Sequence, residues 1–361
     1  MSKKKRTSAI DEVKGIEDPQ EINALLAKSL KAKRKTKSSA EQLVKQLFEG
    51  NITALSKAIT LVESSNPKDK ETAKLIVNRC LPKTGQSIRI GITGVPGVGK
   101  STFIESYGNF LVDNGKKVAV LAVDPSSSIS KGSILGDKTR METLVKRDNV
   151  FVRPTAAGTA LGGVARKTRE TILLCEAAGF DYLIIETVGV GQSETMVHSM
   201  VDFFLLLKLS NAGDELQGIK RGIMEMADLI VINKADGDNL KRAKLAQTEF
   251  KRAMHLLPAK ESKFITEVLL ASAINNEGIS EIDKVISDYV EHVKKSGFFQ
   301  EKRFQQQLFW LKHTVEQHLY DKFYESPVIK EAFKQQKSLL KEGKITAFEA
   351  ADYLISLQNL S

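Results

Sequence analysis

The residues with the most legible chemistry form one run, Gly94-Val95-Pro96-Gly97-Val98-Gly99-Lys100-Ser101-Thr102. It satisfies G-x-x-x-x-G-K-[ST], a spacing that cradles phosphate. The glycines let backbone N–H groups converge on phosphate oxygens where a Cβ would intrude. Lys100 supplies a cation for the β- and γ-phosphates, and the Ser101 hydroxyl an oxygen for Mg2+. A second run, Leu229 to Asp236, ends in N-K-x-D. At a strand end downstream of a phosphate loop, this spacing predicts a guanine pocket. The Asp236 carboxylate would accept from N1–H and the exocyclic amine, a donor pair adenine lacks. Asn233 and the Lys234 stem would support the pocket. Ala271-Ser272-Ala273, followed by Ile274, is the expected place for a backbone N–H to support the base.

Three acids fall at or near strand ends: Asp124, Asp137 and Glu186. Hard oxygen ligands suit Mg2+, which keeps several waters and takes only one or two carboxylates. The three therefore compete for direct and water-mediated places. Any one of them alone could be a helix cap or a solvated loop charge, but three at strand ends favour the metal. Gly189 would bring a backbone N–H near the γ-phosphate. The segments 155–163 and 211–220, glycine-bearing and each following a strand, read as switches that a γ-phosphate could order.

Such residues need a sheet to converge on. Apolar runs predict strands over 88–93, 117–123, 150–154, 182–186, 202–209, 229–232 and 267–270. Most are continuous apolar runs, as expected of strands covered on both faces. Helical segments between them, such as 101–111, 163–178 and 239–256, imply an α/β fold. The architecture expected is a doubly wound, mostly parallel sheet of P-loop type with ligands at the strand carboxyl ends. Four regions follow: a charged, disordered tail over 1–20, a helical extension over 21–84, the nucleotide domain over 85–297, and a helical arm over 298–361. Asn66-Pro67 interrupts the extension. In the arm, Phe304, Leu308, Leu311, Val315 and Leu319 are spaced for one apolar face, near the lone Trp310. That face would dock on the parent domain or on a second copy.

Composition narrows the partners. The chain has 361 residues, 42% hydrophobic and 27% charged, ordinary for a globular protein. Its net charge of +10 sits largely in local runs without an aromatic-interleaved groove, so no nucleic acid partner is expected. Two distant cysteines, Cys80 and Cys175, exclude a disulfide framework and a Cys-x-x-Cys metal site. No apolar run approaches the roughly 18 residues of a membrane span. The basic N-terminus has no apolar core behind it, and acids come early, so the expected compartment is a reducing cytoplasm.

Longer stretches resemble the MeaB/ArgK-type P-loop GTPases, chaperones of adenosylcobalamin-dependent acyl-CoA mutases. They are 123–127, 132–141, 186–194 and 212–220, in family order within a resemblance covering 43–319. The resemblance implies a GTPase with slow intrinsic, partner-stimulated hydrolysis. It would gate cobalamin loading of methylmalonyl-CoA mutase and protect that enzyme, the adenosylcobalamin belonging to the mutase. It places Ser101, Asp137 and Glu186 around Mg2+, Asp124 close by, and Lys220 in a switch that approaches the nucleotide. It also implies a homodimer through the arm. Lys131 and Ser210-Asn211 depart from the family's usual glycine and Pro-Gly. No Asp-x-x-Gly-Gln pattern orients the attacking water, which leaves Gln192 and Glu194 as candidates. Other readings are a metal-insertion GTPase, which needs a Cys or His cluster, a signal-recognition-type targeting GTPase, which needs a Met-rich module, and a transport-linked ATPase or kinase, disfavoured by Asp236. His313 and His318 are spaced like a ligand pair, though a helix surface accounts for them equally.

Overall fold

The computed structural model describes residues 39–64, 66–123, 141–154, 161–187, 193–210 and 221–357. Among them, seven strands form one sheet: β1 (Ile88–Gly94), β2 (Val118–Val123), β3 (Val150–Pro154), β4 (Tyr182–Thr187), β5 (Phe203–Lys208), β6 (Leu229–Ile232) and β7 (Glu267–Leu270). Their order is β3-β2-β4-β1-β5-β6-β7, and every pair is parallel. The expected doubly wound sheet is thus fully parallel in its described part. β1 lies at the centre, flanked by β4 and β5, so the loop leaving it emerges mid-sheet.

Burial explains the apolar runs. Every residue of β4, β5 and β6 is buried. Alternate side chains feed opposite faces. On one face Ile90, Ile92, Val120, Ile184 and Leu205 meet α4 (Lys100–Asp113) and α9 (Ile279–Lys295). On the other, Ala119, Leu121, Leu183, Ile185 and Phe204 meet α5 (Leu161–Ala177) and α6 (Ser193–His198). A satellite cluster joins Leu206, Ile230 and Ile232 to α7 (Arg221–Met226) and α8 (Leu240–Met254).

The helices before the sheet are set by their caps. Ser39 and Gln42 form a reciprocal capping box on α1 (Ala40–Phe48). Asn51 accepts from Ala54 N at 3.0 Å to start α2 (Ile52–Glu63). Asn66 caps α3 (Pro67–Cys80), with Pro67 in the first turn where its missing N–H costs nothing. The expected break at Asn66-Pro67 is therefore a helix start. Leu47, Leu55, Ile59 and Ile76 are fully buried in the cluster that includes α5 and the sheet. The three helices form a further layer outside the sheet.

The C-terminal helices are α10 (Phe298–Glu325), α11 (Pro327–Lys341) and α12 (Ala347–Ser356). The first half of α10 docks on the parent domain through Phe299, Gln306 and Trp310. The apolar face does not dock on the parent domain: Phe304, Leu308, Leu311, Val315 and Leu319 are between 42% and 63% exposed. The docked face is instead held by polar contacts from Lys302, Arg303, Gln306 and Trp310. His313 stacks on Phe309, while His318 Nε2 lies 3.1 Å from an Arg166 guanidinium nitrogen, so the two histidines have different partners. Among the described residues no helix is long and apolar enough to cross a membrane.

Candidate nucleotide site

The phosphate loop connects β1 to α4 as expected. Gly97 and Gly99 take φ of 81° and 91°, left-handed values that a Cβ disfavours. Gly94 is required for a different reason: a Cβ there would lie 2.7 Å from the Leu207 carbonyl oxygen of β5. A Cβ on Gly97 would meet nothing within 4 Å, so the space above the loop is open. Val98 is buried and anchors the loop, whereas Pro96 is exposed and Val95, Ser101 and Lys100 are half-buried. The Lys100 ammonium folds back over the loop, donating to Gly94 O at 2.8 Å and Val95 O at 3.3 Å. Ser101 and exposed Thr102 open the first turn of α4, whose free N–H groups and dipole favour an anion.

The base motif follows β6 and touches this loop directly. Asn233 is buried, and its side-chain amide donates to Val98 O at 2.8 Å. Its Oδ1 is buried without a hydrogen-bond partner among the described residues. Lys234 holds a left-handed φ of 57°, and its stem passes beside Gly99. Asn239 fixes that turn by donating to Lys234 O at 2.6 Å. Asp236 is half-buried and accepts the Ser272 hydroxyl at 2.5 Å. Ser272 and Ala273 are buried beyond β7, while Ile274 is 76% exposed at the rim. The Ala235 N–H donates to Ala271 O at 3.0 Å, so the two base loops are stitched side by side. Ser106 on α4 bonds Asn276 at 2.6 Å, tying the helix after the phosphate loop to the same corner.

Glu186 is the last residue but one of β4, on the other side of β1. It is 4% exposed and lies opposite Ile92 in the β1 register. The next residue, Thr187, donates to Thr93 Oγ1 at 2.9 Å, and both hydroxyls are buried. That bond fastens the end of β4 to the residue just before Gly94. Asp124, Asp137 and Lys220 lie outside the described residues, as do Gly189 and Gln192. Glu194 is buried in the first turn of α6. The structure thus brings the phosphate loop, Asn233, Lys234, Asp236, Ser272, Ala273 and Glu186 to one end of the sheet.

Several supporting residues carry no local signal in the sequence. The Thr93–Thr187 pair spans strands remote in the chain, and Ser106–Asn276 joins residues on separate elements. Gly91 reads as an ordinary strand glycine. A Cβ there would meet Phe204, Val197 and Val201 at 2.9 to 3.0 Å, so α6 and β5 press on β1 where only glycine fits. A glycine inside an apolar strand is the one hint of such close approach.

The donor set suits a nucleoside triphosphate. The glycine cradle leaves room that side chains would fill, and the orphaned Asn233 oxygen marks a polar demand in the base corner. Ser101 and Glu186 offer oxygen donors, which fits Mg2+. Among the described residues no group of three or more His, Cys, Asp or Glu side chains is placed to hold a metal ion.

Comparisons with known proteins agree with this geometry. GTPase ArgK of Escherichia coli is 43% identical over 303 residues, covering 84% of this chain and 92% of that protein. The mitochondrial methylmalonic aciduria type A homolog of Mus musculus is 41% identical over 325 residues, covering 87% and 78%. A crystal structure described as a LAO/AO transport system kinase superposes with a TM-score of 0.72 at 35% identity, covering 90% of this chain and 99% of that one. Residues 55–328, which span the phosphate loop, both base loops and the docked part of α10, match the family model for the methylmalonyl-CoA mutase-associated GTPase MeaB. With those loops in place on a parallel sheet, and relatives matched along most of their length, the chain belongs to the MeaB family of GTPases.

Proposed function

We propose that this protein binds GTP with Mg2+, hydrolyses it, and uses the cycle to gate adenosylcobalamin loading of a cobalamin-dependent acyl-CoA mutase. Methylmalonyl-CoA mutase is the client that family membership favours. The nucleotide part rests on one observation above all. Asn233, in the motif that would read the base, bonds Val98 in the loop that would hold the phosphates. That contact sets the two loops side by side, so one nucleotide can reach both with its base and its phosphates.

In this reading the backbone N–H groups of 97–102 and the Lys100 ammonium take the β- and γ-phosphates. Binding moves Lys100 from the carbonyls of Gly94 and Val95 onto phosphate oxygens, so charge is neutralised where it develops during transfer to water. Ser101, Glu186 and Asp137 would hold Mg2+, which would supply further neutralisation of phosphate charge. Asp236, oriented by the Ser272 hydroxyl, takes the two guanine donors. Backbone N–H groups at Ala273 and Ile274 support the base, while the Ser272 N–H is held by Glu277 O at 3.1 Å. Asp124 and Lys220 respond to nucleotide state. Hydrolysis alone is slow, and the mutase stimulates it. The regions 21–84, 85–297 and 298–361 act as extension, GTPase domain and homodimerisation arm.

The test is turnover of GTP against ATP, with and without purified methylmalonyl-CoA mutase. GTP preference with stimulation by the mutase is expected. ATP preference would defeat the base pocket, and turnover indifferent to the mutase would defeat the chaperone role. Asp236→Asn exchanges an acceptor for a donor facing guanine. It should cut the GTP-over-ATP preference by roughly 10²-fold or more, since a site built for a polar pair rejects the analogue strongly.

A further inference from the structure

Helix α6 is short and its position is set from three sides. Its amino end follows Thr187 after the chain segment 188–192, so it is tethered to Glu186 and the end of β4. Its underside, through Val197 and the following Val201, presses on β1 at Gly91, three residues before Gly94. Its carboxyl end is gripped by α10. Carbonyls at the end of a helix have no partner within it and must find one elsewhere. At the last residue of α6 and in the turn that follows it, carbonyls find side chains about a hundred residues away. Gln306 donates to Val201 O at 2.8 Å and reaches His198 O at 3.5 Å. The Trp310 indole N–H donates to Ser199 O at 3.2 Å. Arg169 of α5 backs both, bonding Gln306 O at 3.1 Å and lying over the Trp310 ring.

This grip is polar. Gln306 is 7% exposed, and its Oε1 is buried without a partner among the described residues. A leucine of similar size would remove that orphaned oxygen but would leave the Val201 carbonyl without its donor. What the amide adds is direction, because its hydrogen bonds specify one place for the carboxyl end of α6. The helix that supplies it then runs on past Trp310 into the exposed row Leu311, Val315 and Leu319. A partner covering that row bears on the same rigid element.

We propose that Gln306 and Trp310 are positioning residues for the nucleotide cycle: by fixing the spacing between α6 and Glu186, they link the arm to the preference for GTP over GDP. The inference rests on the GTPase reading above and adds its regulation.

The experiment uses the full chain and measures the dissociation constants of GDP and a non-hydrolysable GTP analogue. Gln306→Leu and Trp310→Phe are compared with Leu354→Ala, which removes a buried side chain between the arm helices without touching α6. Thermal unfolding is recorded for each. Gln306→Leu and Trp310→Phe should change the ratio of the two constants by roughly fivefold, the lower end of measured couplings. Leu354→Ala should lower the melting temperature and leave the ratio alone. If Gln306→Leu does not fold, Trp310→Phe decides, since it keeps an aromatic ring in place while losing the N–H together with part of the indole, and its melting temperature reports the lost packing. An unchanged ratio in the folded variants overturns the inference, as does an equal change in Leu354→Ala. A wild-type protein that binds neither guanine nucleotide overturns the function itself. One that binds and discriminates, with variants that do likewise, overturns only the linkage.

Discussion

The two ends of the sheet are built on opposite principles. At the amino ends of β1, β5 and β6, charged side chains are paired to exhaustion. Arg89 forks onto Glu176 at 2.8 and 3.0 Å. Arg303 of α10 forks onto Asp202 at 2.8 and 2.7 Å and also caps the Gly85 and Ser87 carbonyls. Asp228 takes Lys260 at 2.9 Å and the Phe204 N–H at 2.9 Å. At the carboxyl ends of the same strands, left-handed glycines, a left-handed lysine and an orphaned buried oxygen stand in place of such pairing. One end holds the strands in register, and the other keeps its polar groups available for a ligand. Left-handed glycines also turn the chain at the amino end, as at Gly85 and Gly179, so the difference between the ends lies in the charge pairing rather than in the backbone.

This contrast is breakable. The largest effect should come from Lys100→Ala, which removes the only side-chain cation of the phosphate loop. Hydrolysis should fall by ~10³-fold or beyond detection while the melting temperature barely moves. Comparable turnover would mean that this end is not the catalytic one. Asp202→Ala should do the reverse. It strands Arg303 and the Arg89 backbone N–H in a buried place, so stability should fall by about 3–5 kcal/mol in denaturant titration, with the GTP-over-ATP preference of the folded fraction intact. Loss of selectivity without loss of stability would erase the division between the ends.

Acid should separate two further contributions. Burial drives the Asp202 carboxyl up, but the hydrogen bonds and charge of Arg303, with Arg89, outweigh it and hold the group below the usual range. Burial likewise acts on Asp228 and is outweighed by Lys302 and Lys260. A carboxyl held low contributes fully above its unfolded value, near ~4, and loses that contribution as pH falls through the folded one. His198 of α6 moves earlier. Burial first, then the Lys302 charge, holds its imidazole down to about 4. The unfolded chain therefore takes up a proton that the native chain refuses between the ordinary imidazole value of 6.5 and about 4, and stability falls across that interval. Melting temperature against pH should show this slope, and His198→Gln should remove it while leaving the steeper loss below about pH 4. The smallest effect is expected from Thr187→Val, which deletes the bond to Thr93 between the ends of β4 and β1. Stability should fall by about 1 kcal/mol, and a larger change would move that pair from fastening to function.

Much of the carboxyl end is legible in the sequence, because its chemistry is local. The phosphate loop occupies nine consecutive residues and the base motif four, and continuous apolar runs locate the strands that present them. The amino end is not legible. Glu176, Asp202 and Arg303 lie on three elements, and nothing in the residues around each announces the others. The arm shows the same limit in a different form. Its heptad-like row was readable as an apolar face, yet the face that docks carries Lys302, Arg303, Gln306 and Trp310, because there the parent domain offers carbonyls and carboxylates rather than oil. Periodicity reports that a face exists, whereas its cover depends on what the rest of the chain presents.

The uncovered row on α10 has a consequence for the protein as a solute. Chains carrying a net charge of +10 repel one another, while oily rows such as Leu311, Val315 and Leu319 attract at contact. The two forces have different ranges. Raising ionic strength to 0.15 M shortens the first to about 8 Å and leaves the second intact. Added salt should thus favour encounters between copies, so dilute low-salt buffer is the condition in which a solitary chain would be found.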